Sequence, residues 1–430
     1  MTDPRYLAVK LLDKTFGSGS YSNIQLDSGL KNSDLDDRGK KLCSAIYYGV
    51  IERRITLDHI IGGLSSRPIA KLDSIVLNIL RCGVYQISYM DSVPDNAAVN
   101  ESVALAKKFR KTSASGMVNA VLRNFIRGGK ALILPKDSLK ALSVKYSVSE
   151  EMVAELAKDY GSEAAEKFLA ASLEKSVTYL RRNTTICTEE EFVAALGGIK
   201  AERLTDCCYA AESGDVTATE AFRKGFFHVQ GLASQLCCEA LAPTEQDRVL
   251  DICAAPGGKT FTMAELMKGK GEIYAFDLHE KRAELIRRGA ERLHLKNIKA
   301  AAGDATKFNP DLPKFTKILC DVPCSGLGVI GSKPEIKYKN ISDFAGLPDI
   351  QYKIVCNALN YLEAGGTLVY STCTVRRAEN EEVCERLLRD HPEVEAVELP
   401  EMLGESFGTM ASLMPPKFGS GFFIAKFRKK

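Results

Sequence analysis

From Tyr6 to about Arg127 the apolar positions recur every three or four residues, first in Ile75, Val76, Ile79, Leu80, Val84 and Ile87, then in Val99, Val103 and Ala106. That rhythm predicts helices with one buried stripe, and an all-α segment over residues 1–130. Gly128, Gly129 and Pro135 interrupt it, and Ser149–Leu173 reads as two short helices punctuated by Gly161. Val177–Leu180 then predicts a strand, Glu189–Leu196 a helix closed by Gly197 and Gly198, and Gly225–Val229 another strand. Residues 131–230 are therefore expected to form linker helices and a small α+β module.

Beyond Leu232 the pattern becomes a regular alternation. Apolar strand-like runs at 248–252, 272–276, 298–302, 317–320 and 367–371 are separated by helical stretches. Strand, helix, strand in that order implies a parallel, doubly wound sheet over residues 231–430, with its ligand at the carboxyl ends of the strands.

Composition narrows the class. Hydrophobic residues at 45% and charged residues at 26% exclude disorder as the dominant state. At about 150 residues per domain the length suggests about three domains. The net charge of +3 singles out no partner, so a nucleic-acid surface requires local clustering. Lys107, Lys108, Arg110, Lys111, Arg123, Arg127 and Lys130 supply such a block with no acid among them. The block can track phosphates or be a solvated helix face. The opening residues hold only a short apolar run between Asp3, Arg5 and Lys10, and Arg81, Asp91 and Glu363 break longer candidates, so neither an export signal nor a membrane helix is expected. The 13 cysteines contain no C-x-x-C pair, and His59, His228, His279, His294 and His391 show no metal spacing. A soluble, cytoplasmic, metal-free monomer is expected, with Cys43, Cys82, Cys356 and Cys384 in the core.

The first candidate chemistry is DICAAPGGKT, residues 251–260. Gly257 and Gly258 allow backbone N–H groups to approach a ligand, and Pro256 stiffens the turn into a helix. The motif is not G-x-G-x-x-G, and Cys253 stands where a P-loop needs glycine. Asp277 closes the second strand, 26 residues after Asp251, and Asp304 follows the third. Each alone is most simply a helix cap. Jointly they suit a cofactor with a ribose, an adenine and a cationic amino-acid end, the form of S-adenosylmethionine.

The second is a pair of cysteines. ILCDVPCSGLG (318–328) and LVYSTCTV (368–375) each carry a cysteine just past a strand end. Adjacent strands lie about 5 Å apart, so Cys324 and Cys373 are expected to face one cleft.

DICAAPGGK, DVPCSG and YSTCTV together resemble the signature of RNA 5-methylcytosine methyltransferases, and the amino-terminal segment with NAVLRNFIR (119–127) resembles the NusB-like RNA-binding domain. The combination is similar to the RsmB (Sun, Fmu) family of bacterial 16S rRNA cytosine-C5 methyltransferases. The resemblance implies a NusB-like domain and a Rossmann-like S-adenosylmethionine-dependent domain. It implies Cys373 as nucleophile, Cys324 as the residue assisting product release, and Asp321 as the contact to the target base. It carries over Cys253, Ala254, Ala255, Pro256, Gly257, Gly258, Lys259, Asp277, Asp304 and Asp321 as cofactor residues. Two positions depart from the family pattern: Tyr338 stands where tryptophan is frequent, and Ser420 where aspartate is usual.

Cytosine C5 is a poor nucleophile until a thiolate adds at C6, and the thiol is expelled after a proton leaves C5. A hydrogen bond from Asp321 to an unprotonated N3 requires a protonated carboxyl. A base inside a helix is unreachable, so the RNA must offer a loop or flipped base, held by basic residues. Arg181, Arg182, Lys333 and Lys337 join the Lys107–Lys130 block as candidates. Competing readings are action on another RNA and a non-catalytic RNA-binding assembly factor. An amino-methylating enzyme is disfavoured by Val322-Pro323-Cys324 in place of a Pro-Pro-Tyr motif, and an NAD-dependent dehydrogenase leaves Asp304 and both cysteines unexplained.

Overall fold

The computed structural model describes residues 3–18, 22–174, 177–212 and 214–430. They form two compact units: Met1–Leu173 with Ile330–Ile341, and Glu174–Val329 with Ser342–Lys430.

The first unit is helical. Its central helix, Ser74–Tyr89, is buried along nearly its whole length, with Val76, Leu77, Ile79, Leu80, Val84 and Ile87 in the core. Each such side chain contributes about 1.5–3 kcal/mol on burial. Asp73 starts the helix by accepting from the N–H groups of Ile75 and Val76. Helices Ser138–Tyr146, Glu150–Tyr160 and Ser162–Ala171, expected in a separate linker module, fall in this unit instead. Polar stitching explains it: the Thr56 hydroxyl donates to the Val144 carbonyl (2.6 Å), and the Ile55 N–H to Ser147 Oγ (2.9 Å).

Segment Ile330–Ile341 is likewise part of the helical unit, anchored by Tyr338. The Tyr338 hydroxyl donates to the Ile51 carbonyl and accepts from the Arg54 N–H (3.0 Å), while the Arg54 guanidinium lies 3.9 Å from its ring centre. The residue that departs from the family pattern thus uses a hydroxyl that tryptophan lacks.

The second unit holds two sheets. β1 (Thr178–Arg182), β2 (Ala201–Arg203), β3 (Cys208–Ala211) and β4 (Phe227–Val229) form an antiparallel sheet in the order β2-β3-β1-β4. Phe192, Tyr209 and Phe227 fill its core. The larger sheet contains β5 (Arg248–Asp251), β6 (Glu272–Asp277), β7 (Ile298–Ala302), β8 (Phe315–Asp321), β9 (Leu362–Thr372), β10 (Val394–Ala396), β11 (Met410–Leu413) and β12 (Phe422–Lys429).

Its order is β10-β12-β9-β8-β5-β6-β7, with β11 on β12. The strands β9-β8-β5-β6-β7 are parallel, as the alternating pattern predicts. β5 lies between β6 and β8, so the crossovers diverge there and open a crevice at the carboxyl ends of β5 and β8. At the other edge β12 pairs antiparallel with β9, β10 and β11, which makes the sheet mixed where the sequence pattern predicts a parallel one.

Candidate active site

β5 ends at Asp251 and runs into the glycine turn. The Ala254 N–H donates to the Phe276 carbonyl (2.7 Å) and the Gly257 N–H to the Ala254 carbonyl (2.8 Å), clamping the turn to β6. Gly257 has φ +110°, and a Cβ there would come within 2.4 Å of the Phe261 ring. Only glycine fits.

Asp251 is wholly buried, and burial foremost pushes its carboxyl up to about 7, with the Asp321 charge adding to the effect. One of its oxygens accepts from the Thr260 hydroxyl (2.7 Å), whereas the other is buried without a hydrogen-bond partner among the described residues, as is Gln230 Nε2.

Asp277 and Asp304 stand at the ends of β6 and β7. Asp277 is buried and lies 3.4 Å from the Arg282 guanidinium, which also donates to the Ala255 carbonyl (2.8 Å). Asp304 accepts from the Thr306 hydroxyl (2.6 Å) and N–H (3.0 Å), which with Lys307 holds its carboxyl down at about 2. Beside them a cavity of about 250 Å³ is lined by Phe276, Gly303, Asp304, Ala305 and Phe308. A glycine turn held at β6, an unpartnered buried oxygen of Asp251, two acidic strand ends and an apolar recess are features that suit a nucleoside with a cationic tail, so the residues fit S-adenosylmethionine.

Across the crevice, β8 and β9 pair in register with Asp321 opposite Ser371. The chain continues three residues past β8 to Cys324 and one past β9 to Cys373, and their Sγ atoms lie 3.2 Å apart. The bond to Cys373 and then burial push the Cys324 thiol well above the ordinary thiol range. A Cys324 held protonated is available as a hydrogen-bond donor toward Cys373 Sγ.

Asp321 accepts on both oxygens, from Lys259 Nζ (2.7 Å) and from the Ser371 hydroxyl (2.8 Å). The two oxygens are thus held by an ion pair and by a hydroxyl donor, where the N3 argument expects a carboxyl that can itself donate. Burial acts against the Lys259 ammonium, but Asp321 outweighs it and holds Lys259 above the usual lysine range. The Phe422 ring, 5.0 Å away, completes its surroundings.

Two of the proposed RNA contacts are corrected. Arg181 is 1% exposed and is bonded to Glu265 (3.2 Å) and Glu239 (2.9 Å), so it faces protein and not RNA. Lys337 is 0% exposed, and burial lowers its ammonium to about 8. One cause accounts for both: a charge beside a strand or turn reads as surface unless its distant counter-charges, buried Glu265 and half-buried Glu52, are known. Arg182 is half-buried and donates to the carbonyls of Cys187 and Asp206. Lys107, Lys108, Arg110, Arg123, Arg127, Lys130 and Lys333 are exposed. Arg123 and Arg127 are held by Asn119 and Asn124 and keep their charge unneutralised by those partners, whereas Lys111 and Lys130 pair with Asp73 and Asp95. Cys43, Cys82 and Cys384 are core, and Cys356 is half-buried against His391 (3.3 Å). Ser371 lies in the YSTCTV motif, but its bond to Asp321 follows from strand register, and Phe422 reaches Lys259 only through the antiparallel strand β12.

The family model of the NusB family matches residues 2–127, and that of the 16S rRNA methyltransferases RsmB/F matches residues 238–428. A probable ribosomal RNA small subunit methyltransferase B of Bacillus subtilis (strain 168) is 36% identical over 100% of this chain and 99% of its own length. The chain belongs to the RsmB family. A probable counterpart from Synechocystis sp. is 32% identical, with all of both chains covered. Membership makes the molecule an S-adenosylmethionine-dependent methyltransferase of a family of small-subunit rRNA enzymes. Among solved structures, PH0851 shares this chain's fold with a TM-score of 0.82 at 24% identity, covering 100% of this chain and 99% of that one. NSun6 from Pyrococcus horikoshii, solved with SFG, matches with a TM-score of 0.60 at 26% identity over 65% of this chain and 98% of its own. Among the described residues of this RsmB-family chain, no helix is long and apolar enough to cross a membrane.

Proposed function

We propose that the protein forms 5-methylcytosine in 16S rRNA through a covalent bond between Cys373 and cytosine C6. The observation that carries this reading is the 3.2 Å contact between Cys324 and Cys373 beside the Lys259–Asp321 ion pair. The cradle residues Cys253–Lys259, with Asp277 and Asp304, would hold S-adenosylmethionine, which supplies an electrophilic methyl group when bound.

Cys373, as thiolate, adds to C6 and makes C5 nucleophilic. The Asp321 carboxyl group contacts the N3/N4 edge of the base, and Lys259 fixes its direction. After C5 is methylated, its remaining proton must leave before the C6–S bond breaks. With Cys373 bonded to C6, Cys324 Sγ or a water it holds takes the C5 proton, the C–H electron pair re-forms the C5–C6 double bond, and Cys373 leaves as thiolate. The exposed cations Lys107, Lys108, Arg110, Arg123, Arg127 and Lys333 serve as phosphate contacts.

The test is methyl transfer from labelled S-adenosylmethionine to unmodified small-subunit rRNA, followed by nuclease digestion, with Cys373→Ala alongside. Label in 5-methylcytosine that vanishes in the variant supports the reading. Unlabelled rRNA that still binds tightly overturns it in favour of an assembly factor or another RNA substrate.

A further inference from the structure

Around the two cysteine loops lies a buried polar hub that the chemistry above leaves unused. Glu379, at the end of the short turn Arg377–Glu379, is 0% exposed. Its Oε2 accepts from the Ser325 N–H (2.9 Å) and from Gln351 Nε2 (2.9 Å), and its Oε1 from Arg376 (3.1 Å). Gln351 Nε2 also donates to the Pro323 carbonyl (2.9 Å). Both chain neighbours of Cys324 are therefore tied to one carboxylate.

The neighbours of Cys373 are tied to the same place. The hydroxyls of Thr374 and Ser325 are 2.7 Å apart. Asn380, next to Glu379, accepts from the Thr372 hydroxyl (2.6 Å) and donates to the Thr374 carbonyl (3.1 Å). The Tyr370 hydroxyl fixes the turn from the strand side by donating to the Glu379 carbonyl (2.6 Å). Below the pair, the Gly328 N–H donates to the Cys373 carbonyl (3.0 Å), and a Cβ on Gly328 would meet the Gly421 carbonyl at 1.9 Å.

Burying a carboxylate is costly, and apolar packing of the same volume often stabilises a core as well or better. The benefit of this one is geometric, because its acceptor oxygens join two loops that share no strand pairing at the cysteines. We propose that Glu379 is a positioning residue that sets the distance between Cys324 and Cys373, and so the rate at which the covalent RNA adduct is resolved. The second half of this statement rests on the reaction proposed above; the first half does not.

The distance can be read without RNA. Treating the full-length protein with a diazene oxidant transfers the two thiol hydrogens to the N=N bond, giving a hydrazine and a Cys324–Cys373 disulfide that peptide mass spectrometry locates. Glu379→Ala should slow this oxidation at least about tenfold, as befits deletion of a buried acceptor with three donors. Glu379→Gln, which keeps a carbonyl for the Ser325 N–H at equal volume, should restore most of the rate. If Glu379→Ala does not fold, Glu379→Asp, one methylene too short to reach both loops, should show the same slowing. With RNA, kcat should fall at unchanged KM and the covalent adduct should persist. An oxidation rate in Glu379→Ala or Glu379→Asp equal to that of the wild type overturns the proposal. Rates that follow Glu379 while the wild type makes neither adduct nor 5-methylcytosine uphold the positioning role and sink the proposed reaction instead.

Discussion

Lys259 Nζ sits 2.7 Å from Asp321 Oδ2, joining the helix that follows the glycine cradle to the end of β8. One ion pair thereby links the glycine turn to the carboxyl end of β8, the two places where the proposed reaction puts cofactor and base. Lys259→Met should leave the Asp321 carboxylate without its counter-charge, lowering stability by about 1–3 kcal/mol and activity far more. Lys259→Arg should recover stability and only part of kcat, since a fork replaces a point charge. Urea unfolding and single-turnover methylation together check this; equal activity in Lys259→Met and wild type would remove the pair from the mechanism.

The two cysteines should fail differently. Cys324→Ala should accumulate a covalent enzyme–RNA complex resistant to denaturing electrophoresis, and Cys373→Ala should form none. Identical behaviour of the two variants refutes the division of roles.

Asp251 makes stability depend on pH in a predictable direction. Its carboxyl is raised by burial to about 7, so the folded state holds a proton that the unfolded chain releases near pH 4. Stability conferred by this group is complete below that lower value and is lost as pH rises toward 7, then levels off. Subtracting the profile of Asp251→Asn, in which nothing titrates at this position, isolates the contribution. The wild-type urea midpoint should fall relative to the variant between pH 4 and 7, and parallel profiles would show that Asp251 does not titrate in this way.

Buried and exposed arginines should separate stability from RNA binding. Arg181→Ala strands Glu265 in the interior and should cost about 3–5 kcal/mol. Arg123→Ala with Arg127→Ala should change stability by no more than about 0.5 kcal/mol each. The pair should weaken RNA binding and reduce its salt slope by about one per charge removed. A salt slope unchanged in the double variant would assign the block to solvent.

The sequence by itself determined the order and kind of the main elements. Helical spacing between Tyr6 and Arg127 and apolar runs ending at Asp251, Asp277 and Asp321 are local signals, set by which side chains must leave water. The glycine turn and the placing of Cys324 and Cys373 past neighbouring strand ends follow from the same patterns plus the handedness of crossovers.

What only the tertiary structure decided depends on partners distant in the chain. The antiparallel β12 brings Phe422 to Lys259, and buried Glu265 turns Arg181 from a surface candidate into a core ion pair. Tyr338 belongs with Ile51 and Arg54, 287 residues from the first of them. Glu379 gathers Ser325 and Gln351 onto one carboxylate. A charge or hydroxyl carries no mark of burial in its own neighbourhood along the chain. Whether it meets water or a counter-charge is fixed only when strand register and helix packing close the core.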